Sequence, residues 1–333
     1  SSGTTAFPEL HPLTKSDFEI GCVHNNCRIK WCAGLRPGDV IQNLILPFSC
    51  HSIINATLGA TEIGQQVGRG NLDHQILLGQ IAKVTVIEHF PSMVLKYFDR
   101  AKELGVNTKE SPLRLVMGIA EGWAESYKKK VQTEYGPVVH MEYGSSEAAE
   151  LASECEYGGG MHFLADTCIV EVIDPETLKV VGPDEYGELV ITNFFRKAIP
   201  RIRYRTKDIA CILPHEPCPC GRTLPKMSMI KGRMSQLIDV KGKRFFPIDV
   251  EEVVGSIPDL GYEYQAVLDT PGEQDRLKVR AEYRPEVENL KALKNQVEEA
   301  FYHALEIESE VELVPTGSIG HATFKAQRLV TTY

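Results

Sequence analysis

The stretch Lys83–Gly118, KVTVIEHFPSMVLKYFDRAKELGVNTKESPLRLVMG, decides the fold. Its ends, KVTVIE (83–88) and LRLVMG (113–118), are short apolar runs that read as buried strands. Between them Ser92–Leu104 repeats apolar residues at helical spacing. Strand, helix and strand in so short a span call for an α/β sheet with crossover helices. Working outward, VIQNLILPF (40–48) supplies another strand. Leu72–Ile81 and Trp123–Tyr135 supply two more helices, the second with Lys128, Lys129 and Lys130 on solvated positions.

From Cys168 the texture changes. CIVEVIDPETLKVVGPDEYGELVITN (168–193) reads as strand, Asp-Pro turn, strand, then a third strand after Gly-Glu, which predicts a β-rich subdomain over 168–229. A third pattern follows. YEYQAVLDT (262–270), DRLKVRAEY (275–283) and SEVELVPT (309–316) read as strands, with a helix at Glu286–Leu305 between the last two. The expected organisation is a large α/β domain over 1–237 and a small α+β domain over 238–333.

Composition narrows the function classes. The chain has 333 residues, 43% hydrophobic and 24% charged, enough for one large and one smaller domain. A formal charge of -9 argues against nucleic acid or an anionic membrane surface as the main partner. No apolar run reaches the roughly 18 residues of a membrane helix, and no signal peptide is visible. Nine cysteines spread along the chain do not read as a disulfide scaffold. Cys22, Cys27 and Cys32 read as small core or surface residues, and a reduced, cytoplasmic setting fits.

Five segments could carry chemistry. At the start, Ser1, Ser2, Gly3, Thr4 and Thr5 offer hydroxyls and backbone N–H groups that can form an anion-binding nest, or simply a polar turn. No Gly-Lys-Ser/Thr accompanies them, so this is not a Walker loop. Met141–Glu147, MEYGSSE, ends a strand on a turn where the Glu147 carboxylate could take magnesium. In Pro200–Ala210, PRIRYRTKDIA, Asp208 at a strand end could accept ribose hydroxyls or pair with an arginine. In Ile230–Glu252, two Lys-Gly pairs bracket an apolar strand as a hinge would, and a helix opens at Asp249. Lys325 lies in a polar tail.

Taken in order, these segments resemble the phenylacetate–coenzyme A ligase family of the adenylate-forming enzymes, over nearly the whole chain. SSGTT matches the family's phosphate loop, and Gly118-Ile119-Ala120-Glu121 its adenine-contacting segment. Tyr143-Gly144-Ser145-Ser146-Glu147 matches YGxSE, with Glu142 before it, and Tyr204–Asp208 matches YRTGD. Gly232–Gln236 matches the hinge, and Phe324–Arg328 the tail that bears the catalytic lysine. The resemblance implies an adenylate-forming ligase architecture with a mobile C-terminal lid domain, and a family front portion ahead of the loop that this chain lacks. It implies ATP, magnesium and coenzyme A as cofactors and a possible homodimer. In it the Ser/Thr loop holds phosphates, Glu147 magnesium, and Asp208 the ribose, with Arg233 beside it. Lys325 bridges the carboxylate and the α-phosphate. Departures are Ala6 and Phe7 for Gly-Lys, Lys207 for glycine, and Ser235 and Gln236 for the acidic hinge pair.

The acyl pocket is expected along Leu46–Ala60, with Phe48, His51 and Ile54 facing an aromatic acid; His51 reads equally well as an ordinary buried histidine. Two acceptors other than coenzyme A remain open, an amine or a nucleotidyl acceptor, as does a truncated non-catalytic nucleotide-binding homologue. Separately, Cys218-Pro219-Cys220-Gly221 puts two thiols on one tight turn, a frequent half of a zinc site. Cys155 and His162 flank a Gly-rich loop that can bend to complete a structural Cys₃His set, with Cys211 as a substitute ligand.

Overall fold

The computed structural model describes residues 10–44, 49–63, 72–319 and 327–332. Its contacts divide the chain into two units, Ser1–Ala120 with Tyr135–Ile230, and Glu121–Glu134 with Lys231–Tyr333. The contact division falls at Ile230/Lys231, whereas the sequence pattern puts the boundary at 237/238, and residues 121–134 group with the second unit.

In the first unit, α1 (Lys15–Asp17) runs through a π-helical stretch, Phe18–His24, into α2 (Asn25–Ala33). Strands β1 (Val40–Asn43), β2 (Thr61–Ile63), β3 (Val86–His89), β4 (Leu115–Ile119) and β5 (Val138–Ser145) pair in parallel, in the order β2-β1-β3-β4-β5. Helices α3 (Ser49–Thr57), α4 (Leu72–Ile81) and α5 (Pro91–Glu103) fall between these strands. Central parallel strands are covered on both faces, so they appear as unbroken apolar runs, and β3 and all but the last residue of β4 are fully buried. Pro91 stands in the first turn of α5, where its missing N–H costs nothing.

Beyond β5 the sheet turns antiparallel through β6 (Ala149–Glu154), β7 (Met161–Phe163) and β11 (Lys226–Met227). A second antiparallel sheet contains β8 (Cys168–Ile173), β9 (Gly187–Asn193) and β10 (Tyr204–Ala210). Leu151, Met161, Phe163, Val172, Leu189, Ile191 and Met227 form a common core for these strands. The strand expected at Leu178–Val181 is not formed. Only one bridge joins Val180 to Ile173, and Leu178 turns left-handed with its side chain exposed.

The second unit contains α6 (Glu125–Tyr135) up to Glu134, the short β12 (Gly232–Arg233), and a hairpin of β13 (Ile238–Val240) with β14 (Lys243–Phe245). Helix α7 (Pro247–Ser256) and a four-stranded sheet follow. Its strands are β15 (Leu260–Leu268), β16 (Leu277–Tyr283), β17 (Ser309–Pro315) and β18 (Leu329–Thr331), in the order β17-β16-β15-β18. Helix α8 (Leu290–Leu305) begins four positions later than the sequence pattern suggests. Asn289 explains the start, because its side chain caps the Ala292 N–H at 3.0 Å. Glycine at 255 lets α7 approach α6 closely, since a Cβ there would strike Ser126 and Tyr127. No helix among the described residues is long and apolar enough to cross a membrane.

Candidate active site

In an open parallel sheet, ligands bind beyond the carboxyl ends of strands, where successive connections diverge. Here that point lies between β1 and β3, because β2 and β3 flank β1 on opposite sides. The strand ends bring unusual side chains together. Lys30 of α2 and Glu88 of β3 form an ion pair at 2.5 Å, and solvent reaches neither side chain. Burial opposes charge on both, yet Glu88 keeps the Lys30 ammonium protonated and Lys30 holds the Glu88 carboxyl below its ordinary range. His51 Nδ1 lies 3.5 Å from Glu88 and 2.7 Å from the Asn43 side-chain nitrogen.

Glu142 of β5 lies on the same side of the sheet, buried, with its Oε1 unpartnered among the described residues. Burial raises its carboxyl well above the ordinary range; Lys30 pulls against that, while Glu88 and Glu150 add to it. Of the acyl-pocket candidates, His51 therefore sits in a charged network and Ile54 is fully buried in the core. Phe48 lies outside the described residues, as do Ser1, Ser2, Gly3, Thr4, Thr5 and Lys325.

The two best-defined nucleotide motifs meet. The Tyr143 hydroxyl donates to Asp208 Oδ2 at 2.7 Å, across a sequence separation of 65 residues. Asp208 lies within β10 rather than at its end, next to a register shift. Lys207, where the family pattern has glycine, adopts a left-handed φ of 66° in that bulge, and its N–H donates to Glu188. Glu147 stands on the turn after β5, 3.5 Å from His11, and Arg196 donates to the Ser146 carbonyl in that same turn. Ser145 Oγ closes the turn by accepting from the Ala148 N–H.

Gly118 fits closely against Met141, and Ala120 takes a left-handed φ of 63°. Glu121 and Arg233 belong to the second unit, where the Arg233 N–H donates to the Gln236 side chain. The charged network of Lys30 and Glu88 was not visible in the sequence. Lys30 sits among apolar neighbours on α2, and nothing local announces its partner 58 residues away.

Elsewhere in the first unit, Cys155, His162, Cys218 and Cys220 come together, their ligand atoms all within 4.8 Å of one another. Cys211 is not part of this group; its N–H bonds to Ser228 near β11. Burial pushes the Cys32 thiol beside them up to about 12.

Comparison with known proteins gives the family and the fold. The profile of the AMP-binding enzyme family matches residues 1–194, and that of the AMP-binding enzyme C-terminal domain matches residues 242–332. The chain is 29% identical over 343 residues to the phenylacetate-coenzyme A ligase of Aromatoleum evansii, covering 99% of this chain and 77% of that protein. It is 31% identical over 288 residues to the Thermus thermophilus phenylacetate-coenzyme A ligase, covering 85% of this chain and 64% of that protein. Among solved structures, 2-hydroxyisobutyryl-CoA ligase in the postadenylation state superposes with a TM-score of 0.87 at 22% identity, over 96% of this chain and 70% of that one. The anthranilate CoA ligase AuaEII gives 0.66 at 17% identity, over 91% and 62%. At these identities the solved structures speak for the fold.

Proposed function

The chain belongs to the AMP-binding enzymes of the adenylate-forming superfamily, as an AMP-forming ligase of the phenylacetate–coenzyme A ligase kind, and from that premise we propose that it activates an aromatic carboxylic acid as its acyl-adenylate and passes the acyl group to coenzyme A. The observation that carries this reading is the Tyr143–Asp208 hydrogen bond, which draws the YGSSE and YRTKD motifs into one place.

A carboxylate is a poor electrophile, and a thiol attacks it too slowly to be useful. In adenylation a carboxylate oxygen attacks the α-phosphorus of ATP and displaces pyrophosphate, and in the next step the thiol attacks the acyl carbon of that mixed anhydride and displaces AMP. Asp208, fixed by Tyr143, accepts the ribose hydroxyls, and the Ser1–Thr5 hydroxyls and amides hold the outer phosphates. Glu147 supplies a hard carboxylate oxygen on a turn, the donor type magnesium takes, and the metal would neutralise phosphate charge there. Lys325 supplies the cation between the carboxylate and the α-phosphate. The aromatic acid follows the names of the curated relatives and the acyl-pocket stretch Leu46–Ala60.

The test is ATP–pyrophosphate exchange across a panel of aromatic and aliphatic acids, followed by product analysis with coenzyme A or with amines. Exchange with aryl acids and a thioester product are expected. Exchange only with aliphatic acids would overturn the substrate class. An amide in place of the thioester would overturn the acceptor, and no exchange with any acid would overturn the activity of this chain.

A further inference from the structure

Ligase chemistry makes no use of the cluster formed by Cys155, His162, Cys218 and Cys220, and its dimensions are those of a metal centre. A tetrahedral zinc ion holds sulfur at about 2.3 Å and imidazole nitrogen at about 2.0–2.1 Å, so neighbouring ligand atoms should stand about 3.8 Å apart for two sulfurs and about 3.6 Å for sulfur and nitrogen. Cys155 Sγ and Cys218 Sγ are 3.7 Å apart, and Cys220 Sγ is 3.4 Å from His162 Nε2. A disulfide would need sulfurs about 2.05 Å apart. These two pairs stand at the spacing of zinc ligands, all four donor atoms lie within 4.8 Å of one another, and the Cys155 and Cys218 sulfurs are too far apart for a disulfide.

Backbone geometry aims them there. The Gly158 N–H donates to the Cys155 carbonyl at 2.8 Å, and the Gly221 N–H to the Cys218 carbonyl at 2.9 Å. Each thiol pair member therefore starts a tight turn. Gly158, Gly159, Gly160 and Gly221 all adopt positive φ, the conformation such turns require. At Gly160 a side chain would also collide with Leu213 and the Met227 carbonyl. His162 is oriented by its far nitrogen. Nδ1 lies 2.9 Å from the Leu224 carbonyl, so it carries the proton and leaves the Nε2 lone pair facing the cysteines. Three thiolates and one divalent cation leave a net negative charge, and two cations stand nearby: Lys226 donates to the Gly158 carbonyl in the loop between Cys155 and His162, and Arg222 follows Cys220 by two residues.

We propose that Cys155, His162, Cys218 and Cys220 bind a structural zinc ion that fastens the β6–β7–β11 edge of the main sheet. Zinc displaces the thiol protons, which leave to solvent, and four protein ligands close the coordination sphere, so no position remains for substrate. The site crosslinks an edge whose backbone pairing is short. Strand β11 pairs with β7 through only two residue pairs, Lys226 with His162 and Met227 with Met161. Cys155 follows Glu154, whose carboxylate accepts from the Met141 N–H of β5 at 2.8 Å, which connects the centre to the strand bearing the nucleotide motif. A fifth sulfur, Cys32, lies alongside, but it points to the Ser153 carbonyl at 3.7 Å and is not a ligand.

The full chain, purified without added metal, should contain about one equivalent of zinc by plasma mass spectrometry, as a closed site requires. Well under half an equivalent, or iron in its place, overturns the assignment. Replacement by Co(II) should give sulfur-to-metal charge-transfer absorption and strong tetrahedral d–d bands. Cys32→Ser should keep both, whereas Cys220→Ser should weaken the charge-transfer band and bind metal less tightly. Loss of the metal in Cys32→Ser would overturn the ligand set, and this arm decides even where Cys220→Ser fails to fold. Chelation should lower the unfolding temperature. Unchanged unfolding after complete zinc removal would overturn the structural role.

Discussion

Lys30 and Glu88 carry opposite charges where solvent reaches neither, and that placement makes them sensitive to single replacement. Removing the partner of a buried charge leaves an uncompensated ion, which costs about 3–5 kcal/mol, whereas apolar residues replacing both restore much of the loss. Lys30→Met alone should therefore lower stability to urea by about that amount, since Glu88 would keep only His51 beside it. Lys30→Met combined with Glu88→Leu should cost less than either single change. A double variant as unstable as the sum of the two would show that the residues do not act as a pair. Glu142, whose Oε1 is unpartnered among the described residues and whose carboxyl burial pushes above its ordinary range, belongs to this neighbourhood. This end of the sheet is thus more polar than the apolar run Leu44–Pro47 suggests.

At the scale of elements, Arg328 gathers the second unit. Its guanidinium pairs with Glu263 of β15 at 2.8 Å and Glu251 of α7 at 3.7 Å, over the face of Tyr264. Glu251 in turn accepts from the Ala124 N–H at 2.8 Å, just ahead of α6. Burial raises the Glu251 carboxyl from near 4.5 to about 7, with Arg328 pulling it down and Glu121 and Glu263 pushing it up. The folded state therefore holds this proton more tightly than the unfolded chain. As pH rises from about 4.5 to about 7 the unfolded chain loses the proton first, so this carboxyl's contribution to stability falls across that window and is level above it. Glu251→Gln should flatten that fall in unfolding midpoints measured against pH. The same slope in both proteins would place the proton elsewhere. The elements themselves were legible to different degrees. Buried parallel strands such as β3 and β4 appear as apolar runs because both faces are covered. Leu178–Val181 has a similar composition but stays exposed, because a strand needs a partner and the Asp174 turn gives it only one bridge. The proposed zinc ligands fall into two pairs, each close in sequence, and those pairs were readable, whereas Lys30 and Glu88 are single residues 58 positions apart with nothing local to mark either.

At the scale of the whole molecule, two units carry one ordered set of motifs, and that order was legible in the sequence while the charged network was not. The chemistry proposed for them needs a cation at the reacting carboxylate, and Lys325, outside the described residues, is the residue the family pattern assigns to it. A cation about 4 Å from a developing unit charge, at an effective dielectric near 20, contributes roughly 4 kcal/mol. Its removal should slow adenylation by up to about a thousandfold. Lys325→Ala should therefore suppress ATP–pyrophosphate exchange by two to three orders of magnitude on that estimate. Thioester formation from a supplied acyl-adenylate does not require the same charge, because the phosphate is already joined to the acyl group, and it should persist at near the parent rate. The circular dichroism and unfolding midpoint of the variant report its folding independently of either reaction. Equal loss in both half-reactions, with folding retained, would remove Lys325 from the adenylation step and return the activating cation to an unassigned position.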